Sequence, residues 1–217
     1  MIKVPYSGRL ITFEGGEGAG KSTQQGLLAH RLRARGLEVV TTREPGGCPL
    51  AEEIRRWVVH GQAGTITART ELLLLLAARV EHVHQVIWPA LQRGAWVLCD
   101  RFLDSTLAYQ GYGRGLDLVL VQQWHTWAVG SLLPDRTLWL DVAPAIGLAR
   151  VGLVRPAGWA QDRFEQETLA FHQRVQDGFQ TLAQASPDRI RRVDAALAPE
   201  QVANQIGMAL HDLFSDT

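Results

Sequence analysis

Lysine is nearly missing from this chain: only Lys3 and Lys21 occur among 217 residues, so almost all positive charge is arginine. An excess of either sign is missing too, with Lys plus Arg and Asp plus Glu at 22 each. A neutral chain argues against electrostatic binding of nucleic acid. The two cysteines, Cys48 and Cys99, have no metal-ligand spacing. Cys99 closes an apolar stretch and reads as a buried thiol. The longest apolar run, Leu72 to Ala78, is far short of the roughly 20 residues needed to span a bilayer. No charged-then-apolar leader opens the chain, so a signal peptide is not expected and a cytoplasmic location is. Repeats, low-complexity tracts and linkers are also absent, which suits one domain over 1–217. No His or Asp stands in an obvious general-base pattern.

What is present is concentrated near the start. From Gly15, the run Gly15-Gly16-Glu17-Gly18-Ala19-Gly20-Lys21-Ser22-Thr23 fits G-x-x-x-x-G-K-[ST] at every fixed position. The apolar stretch Leu10 to Phe13 before it reads as a buried strand. Glycines then let backbone N–H groups turn inward around phosphate oxygens, and a helix opens with its N-terminal dipole toward the same anion. Lys21 reaches the outer phosphates and Ser22 is a ligand for Mg²⁺. The chain is therefore expected to bind a nucleoside triphosphate through Gly15–Thr23.

Strands and helices alternate from there on. Leu37–Thr42, Ala95–Cys99, Thr137–Leu140 and Ile190–Val193 read as further strands. Lys21–Arg35, Leu50–Val59, Thr67–Arg93, Leu116–Val129, Pro144–Leu153, Phe164–Ala185 and Pro199–Phe214 read as helices, with Pro89 expected to end or bend the third. Asp104 to Gly115 mixes a short helix with a glycine loop, and Val154 to Gln161 is irregular. This order predicts an α/β fold, a parallel five-stranded sheet with helices on both faces and a lid over about 150–163. Ligands should sit at the carboxyl ends of the strands, where Gly15–Ser22, Arg43, Asp100, Arg101 and the residues after Asp141 fall.

Asp100 ends an apolar strand and is expected to hold Mg²⁺ opposite Ser22. Arg43 and Arg101 follow strand ends, where arginine suits bidentate recognition of a second phosphate, the acceptor's. Arg150, Arg155 and Arg163 flank the irregular segment, so one of them can neutralise charge on the transferring group. Arg114 lies between glycines near the same cleft. His82 and His84 read as ordinary surface or interface residues, and Trp124 and Trp127 as core or dimer contacts.

These motifs together resemble bacterial thymidylate kinases, and the resemblance covers essentially the whole chain. It rests on Phe13–Ser22, on Thr42-Arg43-Glu44-Pro45-Gly46-Gly47 and on Ala77-Ala78-Arg79. It continues through Asp100-Arg101-Phe102, Ala108-Tyr109-Gln110-Gly111, Gly113-Arg114-Gly115, Leu140-Asp141-Val142 and Asp162-Arg163-Phe164-Glu165-Gln166-Glu167. The resemblance implies a P-loop nucleoside monophosphate kinase that moves the γ-phosphoryl of Mg-ATP to dTMP, and a homodimer. By position, it implies that Arg43 and Arg101 hold the acceptor phosphate and that Glu17 faces the sugar 3′-hydroxyl and the metal's water. Arg79 would donate to a thymine carbonyl, with Ser105 and Thr106 near thymine N3. Tyr109 and Gln110 would line the sugar and base pocket, and Asp194-Ala195 the adenine. Where some members carry a P-loop arginine, this chain has Gly18, so a lid arginine is expected, Arg155 before Arg150. Leu75 stands where many members stack a Phe on the base. The nearest alternative is a P-loop kinase for another nucleoside monophosphate, which Arg79, Thr106 and Tyr109 weigh against. A different class, a P-loop switch or assembly ATPase, would need no second phosphate site, so Arg43 and Arg101 weigh against it.

Overall fold

The computed structural model describes residues 6–60, 66–154 and 161–214. Five parallel strands form one sheet: β1 (Arg9–Glu14), β2 (Val39–Arg43), β3 (Trp96–Asp100), β4 (Arg136–Asp141) and β5 (Ile190–Asp194), in the order β2-β3-β1-β4-β5. Successive residues of β3 face opposite sides of the sheet. Trp96 and Leu98 enter the core under α1 (Lys21–Ala34), while Val97 and Cys99 enter the core on the other face. A strand covered on both faces must be apolar throughout rather than alternating, and β3 reads that way.

The helices after α1 are α2 (Pro49–Val58), α3 (Ala68–His82), α4 (Trp88–Gln92), α5 (Leu103–Thr106), α6 (Leu118–Val129), α7 (Pro144–Val154), α8 (Leu169–Ala185) and α9 (Pro199–Ala209). Their starts follow capping chemistry. Thr67 accepts from Thr70 N at 3.2 Å, Asp117 from Val119 N at 2.8 Å and Thr168 from Phe171 N at 3.2 Å. Each such cap is worth about 1 kcal/mol. Thr168 is why α8 starts at Leu169 rather than at Phe164, and Asp117 is why α6 starts at Leu118. Among the described residues no helix is long and apolar enough to cross a membrane.

Two stretches differ from the expected pattern in the same way. Thr67–Arg93 is not one α-helix: Val83–Ile87 is a π-helical turn between α3 and α4. Trp88 N bonds back to Val83 O, widening the helix just before Pro89. Pro89 has no N–H and crowds the preceding turn, and the extra residue accommodates it. The stretch after α5 is also wound as a π-helix, Leu107–Gly113, with Arg114 N on Tyr109 O at 2.8 Å. Period counting is blind to this winding, which rotates Tyr109 and Gln110 toward the strand ends.

Candidate active site

Strand register gathers the site. Phe13 and Arg43 both pair with Asp100, so β1, β2 and β3 end level and the loop after β1 lies beside Asp100 and Arg101. Asp141 and Asp194 end level in the same way on the other side.

The phosphate loop turns under backbone constraint. Gly18 has φ +64, and a Cβ there would meet Gly147 O at 2.0 Å. The first turns of α7 thus lie directly on the loop, and no side chain fits at 18. Lys21 is buried and donates to Gly16 O at 2.8 Å and Gly15 O at 3.3 Å. Burial, then Arg101, lowers its pKa. Ser22 Oγ donates to Asp100 Oδ2 at 2.8 Å. A hydroxyl and a carboxylate oxygen thus meet beside the loop, a hard-oxygen pair of the kind Mg²⁺ takes. No cluster of three or more His, Cys, Asp or Glu able to hold a metal occurs among the described residues.

Two cavities meet at this loop. One is lined by Gly18–Thr23 with Arg43 and Asp100; the other by Leu75, Arg79, Ser105, Thr106, Tyr109 and Gln110, with Asp162 and Phe164. Glu17, Glu44, Arg55 and Arg101 line both. Arg101 sits at φ +69, the one non-glycine residue with positive φ among those described. Such backbone is held only when the surroundings enforce it. Its guanidinium donates to Glu17 Oε1 at 2.7 Å, Gly15 O at 3.0 Å and Tyr109 Oη at 3.1 Å. Tyr109 Oη donates to Glu17 Oε1 at 2.7 Å. Burial pulls the Glu17 carboxyl up, but Arg101, Lys21 and Tyr109 together bring it down to about 2, so it stays ionised. Burial raises the Tyr109 phenol, which stays neutral and serves as a donor.

The far wall is fixed by a second network. Arg79 Nε donates to Glu44 Oε2 at 2.6 Å, and its Nη2 to Thr106 Oγ1 at 2.9 Å. His82 bridges Glu44 Oε1 at 2.9 Å and Thr42 Oγ1 at 2.6 Å. His82 is fully buried, which corrects its reading as a surface residue. The signal for it was available: Leu75, Arg79 and His82 share one helix face at i, i+4 and i+7. On the opposite side of Arg79, His125 lies 3.5 Å from Nη1, and burial and then Arg79 lower its pKa to about 4. Ser105 Oγ donates to Glu14, whose carboxyl burial and Asp104 raise to about 8.

Other expected residues are placed differently. Arg43 sits on the rim, paired with Glu52 at 2.9 Å, and borders only the loop-side cavity of the two. Arg55, which the sequence reading missed, lines both cavities. Burial, then Arg43 and Arg101, lowers its pKa, as expected where cations converge on an anion site. Its only sequence signal is Glu52 three residues earlier, on a helix that opens straight after the Arg43–Gly47 turn. Arg163 was a candidate for the transferring phosphoryl; it is instead buried against Glu71 and Val58 O. Arg114 lines neither cavity and pairs with Glu71 and Glu167. Arg150 Nη1 donates to Ala195 O at 2.8 Å, beside Asp194 at the end of β5. Arg155 lies outside the described residues.

A family model described as thymidylate kinase matches residues 13–206. The chain is 53% identical over 207 residues to a thymidylate kinase of Magnetococcus marinus, covering 95% of this chain and 97% of that one. It is 54% identical over 196 residues to one of Thermomicrobium roseum, covering 90% and 91%. Among solved structures, a thymidylate kinase from Ehrlichia chaffeensis superposes with a TM-score of 0.77 at 33% identity, covering 94% of this chain and 99% of that chain.

Proposed function

The chain belongs to the thymidylate kinase family, and from that premise we propose that it transfers the γ-phosphoryl of ATP to dTMP, giving ADP and dTDP. The observation that carries this reading is Arg101. It lines both cavities at once and is held there by Glu17, Tyr109 and Gly15 O. A donor phosphate cradled by Gly15–Thr23 and an acceptor phosphate beside Arg55 and Arg101 would then face each other across one guanidinium.

The acceptor is a phosphomonoester with a second pKa of about 6, so at neutral pH it is mostly a dianion. It needs no general base, which agrees with the lack of one in the sequence. Positioning and charge neutralisation carry the rate. Lys21 serves the donor's outer phosphates, and Arg43 approaches from the rim. Ser22 and Asp100 would hold Mg²⁺, which when bound offsets charge on the donor phosphates. Ionised Glu17 suits the sugar 3′-hydroxyl, and Tyr109 crowds the place a ribose 2′-hydroxyl would take. Arg79 has three of its five donor hydrogens directed to Glu44, Thr106 and His125, leaving two for a base carbonyl. Gln110, Ser105 and Leu75 complete that wall. Asp194 and Ala195 suit adenine, with Arg150 bracing their loop. The charge between donor and acceptor falls to Arg155, because no side chain fits at Gly18. A homodimer through α2, α3 and α6 completes the reading.

ADP release with dTMP, dUMP, UMP, CMP, GMP and shikimate tests the acceptor. The expected order puts dTMP first and dUMP second. Preference for any of the other four would contradict the assignment.

A further inference from the structure

Glu71 stands in the first turn of α3, 1% exposed, on the face that carries Leu75 and Arg79 one and two turns later. It lines neither cavity. Three side chains from distant parts of the chain end on its carboxylate. Gln110 Nε2 donates to Oε1 at 2.7 Å. Arg114 donates Nε to Oε1 and Nη2 to Oε2, both at 3.3 Å. Arg163 Nη2 donates to Oε2 as well.

Each donor is tied to a wall of the acceptor cavity. Gln110 lines it directly and follows Tyr109 on the π-helical stretch. Arg163 sits between Asp162 and Phe164, which both line it. Its backbone N donates to Val59 O at 2.9 Å and its Nε to Val58 O at 2.8 Å, fastening this segment to the C-terminal carbonyls of α2. Arg114 and Arg163 cover the Phe164 ring at 5.8 Å and 5.0 Å, and Tyr109 meets that ring edge-on at 5.5 Å. Counting Glu167, which takes Arg114 Nη1, two carboxylates meet two guanidiniums and the cluster is neutral. Removing the Glu71 charge alone would leave two cations in a largely buried place with one carboxylate, a costly arrangement that drives rearrangement.

We infer that Glu71 is the positioning residue of the acceptor pocket: by gathering Gln110, Arg114 and Arg163 it holds the Tyr109–Gln110 wall and the Asp162–Phe164 wall against the Leu75–Arg79 face, and so sets acceptor affinity without touching the acceptor. This rests on the acceptor assignment above. None of Glu71, Gln110, Arg114 and Arg163 lines the loop-side cavity, so the effect falls mainly on the acceptor.

The test uses full-length protein, varying dTMP at saturating ATP and then ATP at saturating dTMP. Glu71→Gln keeps the size and removes the charge. It should raise the dTMP KM about tenfold or more and leave the ATP KM within about twofold. Glu71→Met with Arg163→Met deletes the ion pair, and such deletions are often neutral in stability. The double variant should regain the melting temperature that Glu71→Gln loses, yet keep the raised dTMP KM. Should Glu71→Gln not fold, Arg163→Lys keeps the charge but loses the fork, and should raise the dTMP KM about threefold with the ATP KM unchanged. A wild-type dTMP KM in a folded Glu71→Gln or Arg163→Lys overturns the inference. So does a parallel rise of both KM values, or recovery of the dTMP KM together with the melting temperature in the double variant. Wild-type protein that does not turn over dTMP strikes the acceptor assignment itself; wild-type turnover with insensitive variants strikes this inference alone.

Discussion

At the scale of residues, the site divides by how its members are held. Gly15–Thr23, Asp100 and Arg101 lie within two short stretches, so chemistry and spacing identify them together. Glu71 and His82 act through partners 38 or more positions away, and His125 meets Arg79 from 46 positions away. Local pattern marks His82 only by its helix face and leaves Glu71 and His125 unmarked, because the low-dielectric packing that makes such contacts matter exists only in the fold. The arginines around 150–163 make the same point. Sequence offers three candidates, Arg155 ahead of Arg150 by resemblance, and burial removes Arg163 by committing it to Glu71 and Val58 O. Arg150 is committed to Ala195 O and Ala196 O, at the end of β5. Arg155→Ala should therefore lower kcat about 100-fold or more with little change in the dTMP KM, as for an arginine that acts in the transition state. Arg150→Ala should act mainly on the ATP KM. Steady-state kinetics of both variants decide the matter, and a kcat loss in Arg150→Ala with an active Arg155→Ala would reverse the roles.

At the scale of elements, the five strands were legible to within two residues at either end, since a strand buried on both faces is a short apolar run and little else. Helix boundaries were legible where a cap fixes them, as at Thr67. They were shifted where the cap was overlooked, as at Thr168. The two π-helical turns were not legible, because one extra residue in a turn leaves no trace in a 3.6-residue pattern. The Leu107–Gly113 turn matters most, since it carries Tyr109 and Gln110 into the acceptor wall. The outer faces of α2, α3 and α6 carry a different message. These helices pack side by side, and they leave Trp57, Leu73, Val119 and Trp127 at 70%, 52%, 60% and 87% exposure. We read these exposed apolar side chains on adjoining helices as the face of the proposed homodimer. Light scattering at micromolar concentration should give twice the chain mass, and Leu73→Asp should shift it toward the monomer. A monomeric wild type would contradict the dimer.

At the scale of the molecule, the sheet does the assembly. Strand order β2-β3-β1-β4-β5 brings the Arg43, Asp100 and Gly15 ends together on one side and the Asp141 and Asp194 ends on the other. The two cavities, proposed as donor and acceptor sites, thereby share Glu17, Glu44, Arg55 and Arg101. Two substrates held across shared residues should gain strongly from being joined, because the second then binds at a high effective concentration. The most direct test is calorimetric titration of an adenosine–thymidine conjugate linked 5′ to 5′ by a polyphosphate chain, alongside ATP and dTMP alone. The account predicts a Kd about 100-fold or more below that of either nucleotide, with both ATP and dTMP competing. Binding no tighter than the better single nucleotide, or competition from only one of them, would contradict a single shared site.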